Sequence, residues 1–267
     1  MQVIGLCRFS YPAEGGFQVE HQTARARSDY LYAPVRMEER FRTFETITLP
    51  ALRAQTDPDF RFVILIGDDL PDAYAERLFA LVEPMPQAVI VARAPGPHRA
   101  VCKEVLNAAR HDMDAPCIQF RMDDDDAVAV DFVARLRRDA GLVAPLCAAN
   151  KAVILDYRRG LILRPTAKGP MAEETELAYY PMGMGMVVAG GHSQTIMNFA
   201  HSKVAKFMPT VTFADSLMFV RGHNDFNDSR QKAHVKPIKL PLMDAKGEAT
   251  LKDRFAIDAD HIRRIFG

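Results

Sequence analysis

The sequence has few cysteines, and none lies at a metal-binding or redox spacing. The four cysteines stand at positions 7, 102, 117 and 147 and form no CxxC pair. This pattern argues against a disulfide framework or a cysteine zinc site and predicts reduced, mostly buried thiols in a cytoplasmic protein. Long hydrophobic runs are also missing. The apolar start over residues 1–7 is too short for a signal peptide, and no stretch approaches the ~20 apolar residues of a membrane-spanning helix.

An excess of charge of either sign is absent as well. The 267 residues include 34 basic and 34 acidic side chains and are 48% hydrophobic, with a pI near 7.1. Nucleic-acid-binding domains usually carry a basic excess, so the balance argues against nucleic acid as a partner and favours small molecules. The length and the apolar content fit one large domain with a full core.

Three common ligand-binding signatures are missing. No GxGxxG follows the first apolar run, no GxxxxGK[ST] occurs, and no GxSxG is present. These absences argue against the usual dinucleotide fold, a P-loop and a hydrolase nucleophile elbow. A nucleotide, if bound, would have to be held by a metal ion, by contacts to its base and by arginines.

Short apolar runs alternate with helical patterns in the first half of the chain. Continuous apolar runs predict buried strands over residues 3–7, 60–66, 88–91 and 116–120. Apolar residues at helical spacing predict helices over 35–55, 71–82 and 98–110, and residues 10–35 are expected to form a long loop. This order predicts an α/β fold with a mostly parallel central sheet flanked by helices. Ligands of such sheets bind at the carboxyl ends of the strands.

The helix over 35–55 is amphipathic. Met37 and Phe41 share its apolar face, whereas Arg36 and Arg40 are expected on the opposite, polar face. We therefore expect these two arginines to face solvent.

The second half is less regular. Residues 151–157 and 161–163 are expected to form a β-hairpin, and residues 179–188 a strand loosened by glycines. A helix is expected over 195–205, and Asp258 is expected to cap a terminal helix.

Four consecutive aspartates, Asp123 to Asp126, follow the strand over 116–120. Unit charges about 4 Å apart repel by about 1 kcal/mol in water and by about 4 kcal/mol at the effective dielectric near a protein surface. A divalent cation would remove this repulsion, and Mg²⁺ and Mn²⁺ prefer oxygen ligands. The alternative is a solvated acidic loop before a helix. The buried strand directly before the run favours a metal site for a phosphorylated ligand.

Other charged residues are expected at the same edge of the sheet. Arg8 and Arg121 could bind phosphate oxygens bidentately or pair with the aspartates. Asp68 and Asp69 end the second predicted strand and could contact a base or ribose, or start the next helix.

Two residues of the second half could take part in chemistry. Asp215 lies in an apolar stretch, where burial would raise its pKa and suit it to act as a general base. His223 could supply a nitrogen ligand to the metal, or be an ordinary loop residue.

Several segments resemble GT-A glycosyltransferases. Residues 49–69 are similar to their opening helix, strand and Asp-Asp turn, and Met122 to Asp126 resembles their LDxDD metal motif. The segments 7–10, 40–45 and 121–127 resemble the bacterial putative rhamnosyltransferase family. The resemblance to this family extends over most of the chain.

The resemblance implies a single GT-A-like domain over 1–267, with a nucleotide-sugar-binding half at 1–140 and an acceptor-side half at 141–267. It implies a metal-dependent glycosyltransferase that uses a nucleotide-activated sugar. The leading hypothesis is an inverting transfer of that sugar from a nucleotide-diphosphate donor to the hydroxyl of a saccharide or lipid-linked acceptor. The family name suggests dTDP-rhamnose as the donor. A nucleotidyltransferase or phosphohydrolase using the same acidic cluster, or a non-catalytic nucleotide-sugar-binding domain, are the alternatives.

The resemblance also implies roles for individual residues. By the motif match, Asp125 would be the metal ligand, Asp123 would face the ribose or the metal, and Asp215 would be the catalytic base because Ala214-Asp215 stands where many GT-A enzymes carry Glu-Asp. With His223, proposed above from its residue type, the expected ligands of Mg²⁺ or Mn²⁺ are Asp123, Asp125 and His223. The residues expected to bind the nucleotide sugar are Arg8, Asp68, Asp69, Arg121, Asp124 and Asp126.

Overall fold

The computed structural model describes residues 1–15, 23–224 and 238–267. Its strands are β1 (Gln2–Arg8), β2 (Arg61–Gly67), β3 (Ala88–Arg93), β4 (Cys117–Asp123), β5 (Ala127–Val128), β6 (Ala152–Tyr157), β7 (Arg159–Arg164), β8 (Met171–Glu176), β9 (Met184–Val188), β10 (Thr210–Phe213) and β11 (Phe219–Gly222). Its helices are α1 (Ala24–Leu31), α2 (Pro34–Thr43), α3 (Leu49–Arg53), α4 (Asp72–Val82), α5 (His98–Ala108), α6 (Phe132–Leu142), α7 (Ala144–Ala149), α8 (Ala245–Phe255) and α9 (Ala259–Phe266).

A mostly parallel sheet forms the centre of the protein. In the described residues it has seven strands in the order β10-β6-β9-β4-β1-β2-β3, and β9 alone among them runs antiparallel to its neighbours. The predicted α/β class is confirmed. Because β2 and β3 lie on one side of β1 and β4 on the other, the strand order reverses between β1 and β4. Crevices at such reversals, beyond the carboxyl ends of the strands, are where open α/β sheets bind ligands.

Strand β1 shows why the sheet is buried on both faces. Its apolar side chains alternate between two cores, with Val3 and Cys7 in one and Ile4 and Leu6 in the other. Helices α2, α3, α4 and α6 contribute to the first core, and α5 contributes to the second. This double coverage explains the continuous apolar runs of the parallel strands.

The elements predicted in the first half are confirmed within a few residues. The helix expected over 35–55 consists of α2, a π-helical turn over Phe44–Thr48, and α3. The long loop expected over 10–35 is wrong in part, because α1 lies within it and begins after Thr23, whose hydroxyl accepts a hydrogen bond from the Ala26 N–H. Residues 16–22 of that stretch lie outside the described residues.

The hairpin expected at 151–163 is wrong. Strand β6 belongs to the central sheet, whereas β7 pairs with β8 and β11 in a second sheet of order β5-β11-β7-β8. Arg158 alone separates β6 from β7. The alternation of apolar residues could not reveal that the chain passes here from one sheet to another.

The remaining expectations for the second half have mixed outcomes. The helix expected over 195–205 is two 3₁₀ turns, Ile196–Asn198 and His201–Lys206, and α8 was not predicted. Asp258 does cap α9, since its carboxylate accepts the His261 N–H at 2.9 Å. All four cysteines are free and three of them are buried, as expected.

Within the part of the chain that the structure describes, no helix is long and apolar enough to cross a membrane.

Candidate active site

An arginine and an aspartate meet where the strand order reverses. Arg8 ends β1, Asp123 ends β4, and the two residues are paired in the β1–β4 register. The Arg8 Nη2 donates to Asp123 Oδ1 at 2.6 Å, and the Asp123 side chain remains 48% exposed. Burial tends to raise the pKa of Asp123, but the nearby arginines, Arg8 foremost, lower it to about 2. The edge of the sheet therefore presents a permanent carboxylate next to a guanidinium.

His98 supports Arg8 from the start of α5. Its Nε2 lies 3.1 Å from Arg8 Nη1. Burial, followed by the charges of Arg8 and Arg121, lowers the pKa of His98 to about 3, so its imidazole is neutral. A guanidinium has only donors, so Nε2 accepts and the ring proton is on Nδ1. This role of His98 was not predicted, although a histidine at the first turn of the helix that follows β3 is a signal that could have suggested it.

Arg121 adds a second positive charge to this edge. It lies on β4 two residues before Asp123, its Nη1 is 3.6 Å from the Met197 sulfur, and its buried Nε has no hydrogen-bond partner among the described residues. Burial and then the charge of Arg8 lower the pKa of Arg121 to about 10. Two neighbouring arginines, one of them with unused donors, suit an oxyanion that accepts several hydrogen bonds.

The next two aspartates are buried and paired. Asp124 and Asp125 are each 3% exposed. Arg40 Nη1 lies 2.8 Å from Asp124 Oδ1 and 3.0 Å from Asp125 Oδ2, and Asn224 Nδ2 donates to the same Asp125 oxygen at 2.6 Å. Arg40 thus supplies the positive charge that the sequence argument assigned to a cation.

Asp126 fixes the backbone of the turn. Its Oδ2 accepts the Asp123 N–H at 3.0 Å and its Oδ1 accepts the Gly222 N–H at 3.2 Å. Burial, followed by the charges of Asp125 and Asp123, raises the pKa of Asp126 well above its usual range. A Cβ at Gly222 would lie 2.2 Å from the Asp125 carbonyl oxygen, so this close approach requires glycine.

The orientation predicted for α2 is wrong for its arginines. Arg36 and Arg40 are buried beside Met37 and Phe41 instead of facing solvent. Arg36 Nη1 donates to Ser10 Oγ at 2.9 Å, while Arg40 reaches the aspartates. The i, i+4 spacing places both arginines on one face of the helix. Arg40 is held inward by two buried acids, and Arg36 by the Ser10 hydroxyl and the Leu31 carbonyl, partners that an amphipathicity pattern does not reveal.

The predicted metal ligands differ in how well they fit a cation. No group of three His, Cys, Asp or Glu side chains in the described ranges could hold a metal ion. Asp125 is buried and paired with Arg40 and Asn224, and His223 is buried as well. Asp123 is half-exposed, and its Oδ2 accepts no hydrogen bond from the described residues. Mg²⁺ commonly takes one or two carboxylates and completes its shell with water and phosphate oxygens, so Asp123 fits that mode and Asp125 does not.

The acidic pair after β2 is also divided. Asp69 accepts hydrogen bonds from Ser28 Oγ at 2.6 Å and Tyr32 Oη at 2.9 Å, which tie α1 to the sheet edge. Asp68 is exposed, and its N–H bonds the Arg93 carbonyl at 3.1 Å. Both residues are exposed, and the difference between them is that the Asp69 carboxylate is held by two side-chain hydrogen bonds. Contact of either residue with a nucleotide base remains a prediction.

The physical reason given for Asp215 as a base is wrong. Its side chain is 58% exposed and makes a bidentate pair with Arg135 at 2.8 and 2.9 Å. The hydrogen bond from Arg135 lowers its pKa, where burial was expected to raise it. Asp215 follows β10, three strands from β4, which at about 4.8 Å per strand is roughly 14 Å along the edge. Its catalytic role stays a prediction.

Comparisons with known proteins bear on this site. A family model described as "putative rhamnosyl transferase" matches residues 2–236. No curated protein matches the chain. Solved structures similar to it include S. aureus TarS 1–349, with a TM-score of 0.45 and 8% identity over 83% of this chain and 60% of that one. The same fragment in complex with UDP-GlcNAc gives a TM-score of 0.45 and 9% identity, over 87% and 61% of the two chains.

A putative glucose-1-phosphate thymidylyltransferase from Bacillus anthracis is also similar, with a TM-score of 0.36 and 11% identity over 81% of this chain and 88% of that one. The chain spans about 60% of the length of the TarS fragment described above.

Proposed function

This chain belongs to the putative rhamnosyl transferase family, and we propose that it is a glycosyltransferase that moves a sugar from a nucleoside-diphosphate donor to an acceptor hydroxyl. Rhamnose is the sugar that the family description names, and dTDP-rhamnose is the donor we would test first. The acceptor that we propose is a saccharide or a lipid-linked molecule.

One observation carries the proposal. The Arg8–Asp123 pair lies at the reversal of strand order, with Arg121 on the same strand as Asp123. A diphosphate is a doubly charged oxyanion, and two arginines at a strand edge offer it fixed donors. Preorganised positive charge stabilises the negative charge that builds on the diphosphate as the bond to the sugar breaks.

The proposed reaction is an inverting transfer that uses these residues. The acceptor oxygen attacks the anomeric carbon while the bond from that carbon to the phosphate oxygen breaks, and its electron pair passes to the diphosphate. Attack from the face opposite the diphosphate inverts the anomeric configuration. Arg121 and Arg8 hold the departing diphosphate, and Asp123 keeps Arg8 in place through the 2.6 Å contact.

Metal dependence is part of the proposal. Mg²⁺ or Mn²⁺ would neutralise the diphosphate as a Lewis acid when bound. Asp123 would hold it through Oδ2, in place of Asp125, because Asp123 is the aspartate of the run that is open to solvent. The buried aspartates Asp124, Asp125 and Asp126 position the turn that carries Asp123.

The proposal is tested by donor binding and by transfer. Thermal unfolding is measured with UDP, dTDP and GDP, each with and without Mn²⁺, and one nucleotide should raise the melting temperature most. A ligand at 100 times its Kd stabilises the folded protein by about 2.7 kcal/mol, so the preferred nucleotide gives a measurable shift. Arg121→Leu should remove most of that shift. A matched control is Asp59→Asn, an exposed acid before β2 at the opposite edge of the sheet. Absence of any nucleotide shift, or release of phosphate with no sugar transferred to any acceptor, would contradict the proposal.

A further inference from the structure

A histidine that the sequence argument did not single out lies beside the candidate site. His201 begins the 3₁₀ turn His201–Lys206. The preceding turn, Ile196–Asn198, carries Met197, whose sulfur contacts Arg121 at 3.6 Å. The segment that holds His201 therefore lies against the cationic side of the site.

Hydrogen bonds and strand pairing place His201 at the edge of the sheet where β4 ends. Its ring contacts the Tyr179 carbonyl, and the hydroxyl of the next residue, Tyr180, lies 3.3 Å from Arg221 Nη1. Tyr180 precedes the turn that leads into β9, and β9 begins beside the end of β4 because the two strands are antiparallel. The fold thus brings His201 to the edge that carries Arg121 and Asp123.

One nitrogen of His201 is already committed. Its Nδ1 lies 2.7 Å from the Tyr179 carbonyl oxygen. A carbonyl oxygen only accepts hydrogen bonds, so the proton is on Nδ1 and the lone pair on Nε2. Nε2 has no hydrogen-bond partner among the described residues. The arrangement is that of a base oriented by its other nitrogen.

The Tyr179 carbonyl is itself held in place. Tyr179 has a φ of 64°, in the left-handed region that a tyrosine rarely adopts. Its N–H donates to Asp156 Oδ1 at 2.8 Å, and Asp156 Oδ2 accepts from Thr212 Oγ1 at 3.1 Å. Backbone strain held by buried partners clusters at functional sites. Here the hydrogen bonds of Tyr179 and Asp156 hold the carbonyl oxygen that orients the His201 ring.

The imidazole is neutral at ordinary pH. Burial, followed by the charges of Arg121 and Arg221, lowers the pKa of His201, while the contact with Tyr179 and the charge of Asp123 act in the opposite direction. A neutral imidazole is the form that can take a proton.

We propose that His201, rather than Asp215, is the general base of the transfer, with Nε2 taking the proton of the acceptor hydroxyl. As the proton moves to Nε2, the acceptor oxygen forms its bond to the anomeric carbon, and the electron pair of the breaking bond leaves with the diphosphate. This assignment rests on the proposed glycosyltransferase function.

Two substitutions separate a base from a structural histidine. His201→Asn places an amide N–H where Nδ1 stands, so it can keep the bond to the Tyr179 carbonyl while removing Nε2. We expect turnover to fall by about 10²–10⁴-fold, the usual contribution of general acid–base catalysis, with donor binding unchanged. The turnover of His201→Ala should fall by a similar factor and should recover when imidazole is added. His111→Ala, an exposed histidine at the opposite edge of the sheet, is the matched control.

The pH profile gives an independent readout. Wild-type kcat/KM should fall on the acid side, below the ordinary histidine pKa, because protonated His201 cannot accept a proton. His201→Asn should lack that limb. Near-normal turnover of His201→Asn, with transfer by the wild type intact, would overturn the assignment of the base alone. Absence of transfer by the wild type with every donor would overturn the proposed function instead.

Discussion

The two ends of the aspartate run differ although their residues are identical. Asp123 is half-exposed and paired with Arg8 at the carboxyl edge of the sheet, whereas Asp125 and Asp126 are buried, one paired with Arg40 and the other bonded to backbone N–H groups. The comparison shows that adjacent carboxylates can serve different purposes. One presents charge to a ligand, and the others hold the turn that presents it.

The largest effect is expected from breaking the buried end. Arg40→Met leaves Asp124 and Asp125 buried without their cation, and removing one partner of a buried pair typically costs about 3–5 kcal/mol. Urea unfolding monitored by circular dichroism measures the loss. Arg42→Met, at an exposed position of the same helix, should cost far less. Equal losses for the two variants would mean that the buried end does not depend on Arg40.

The next effect sharpens the functional difference between the two ends. Asp123→Asn should lower turnover by about 10²–10³-fold, the range seen when one preorganised charge-stabilising group is lost. Because Asp123 is half-exposed, the free energy of unfolding should change by only about 1 kcal/mol. Steady-state transfer assays and urea unfolding of the same preparation check both.

Asp125→Asn is the companion variant. It should lose stability by about 1–3 kcal/mol, because a buried polar network loses a charged acceptor, and keep most of its turnover in the fraction that is folded. The opposite pattern, in which Asp125→Asn is stable but inactive and Asp123→Asn is active, would restore Asp125 as the metal ligand and reverse the comparison.

The smallest effect concerns a third acid–arginine pair, remote from the run. Asp215→Asn removes an exposed ion pair with Arg135 and should cost less than about 1 kcal/mol at pH 7. The folded pKa of Asp215 is lowered, so its contribution is present above the ordinary carboxyl pKa and is lost as the pH falls through the folded value. The free energies of unfolding of the wild type and of Asp215→Asn should therefore become equal at acidic pH. A loss of turnover by two orders of magnitude with a stable fold would identify Asp215 as the base.

The site could be predicted from the sequence only to a certain depth. Arg8, Asp123 and Arg121 were expected at one edge, because each stands at or near the end of an apolar run and parallel strands end together. The division of Asp123 from Asp125 was not foreseen, since it depends on Arg40 reaching in from α2. His98 and His201 were missed for the same reason, as each gains its role from a partner distant in sequence.

The sequence by itself determined the strands, most helices and the edge of the sheet where charge collects, because hydrophobic periodicity and turn residues act over a few positions. The tertiary structure alone decided that β6 and β7 belong to different sheets, that Arg36 and Arg40 turn inward, and that one aspartate of four stays half-exposed. Burial and ion pairing depend on groups that are distant in the sequence, and a local sequence pattern does not predict which of these groups will come into contact.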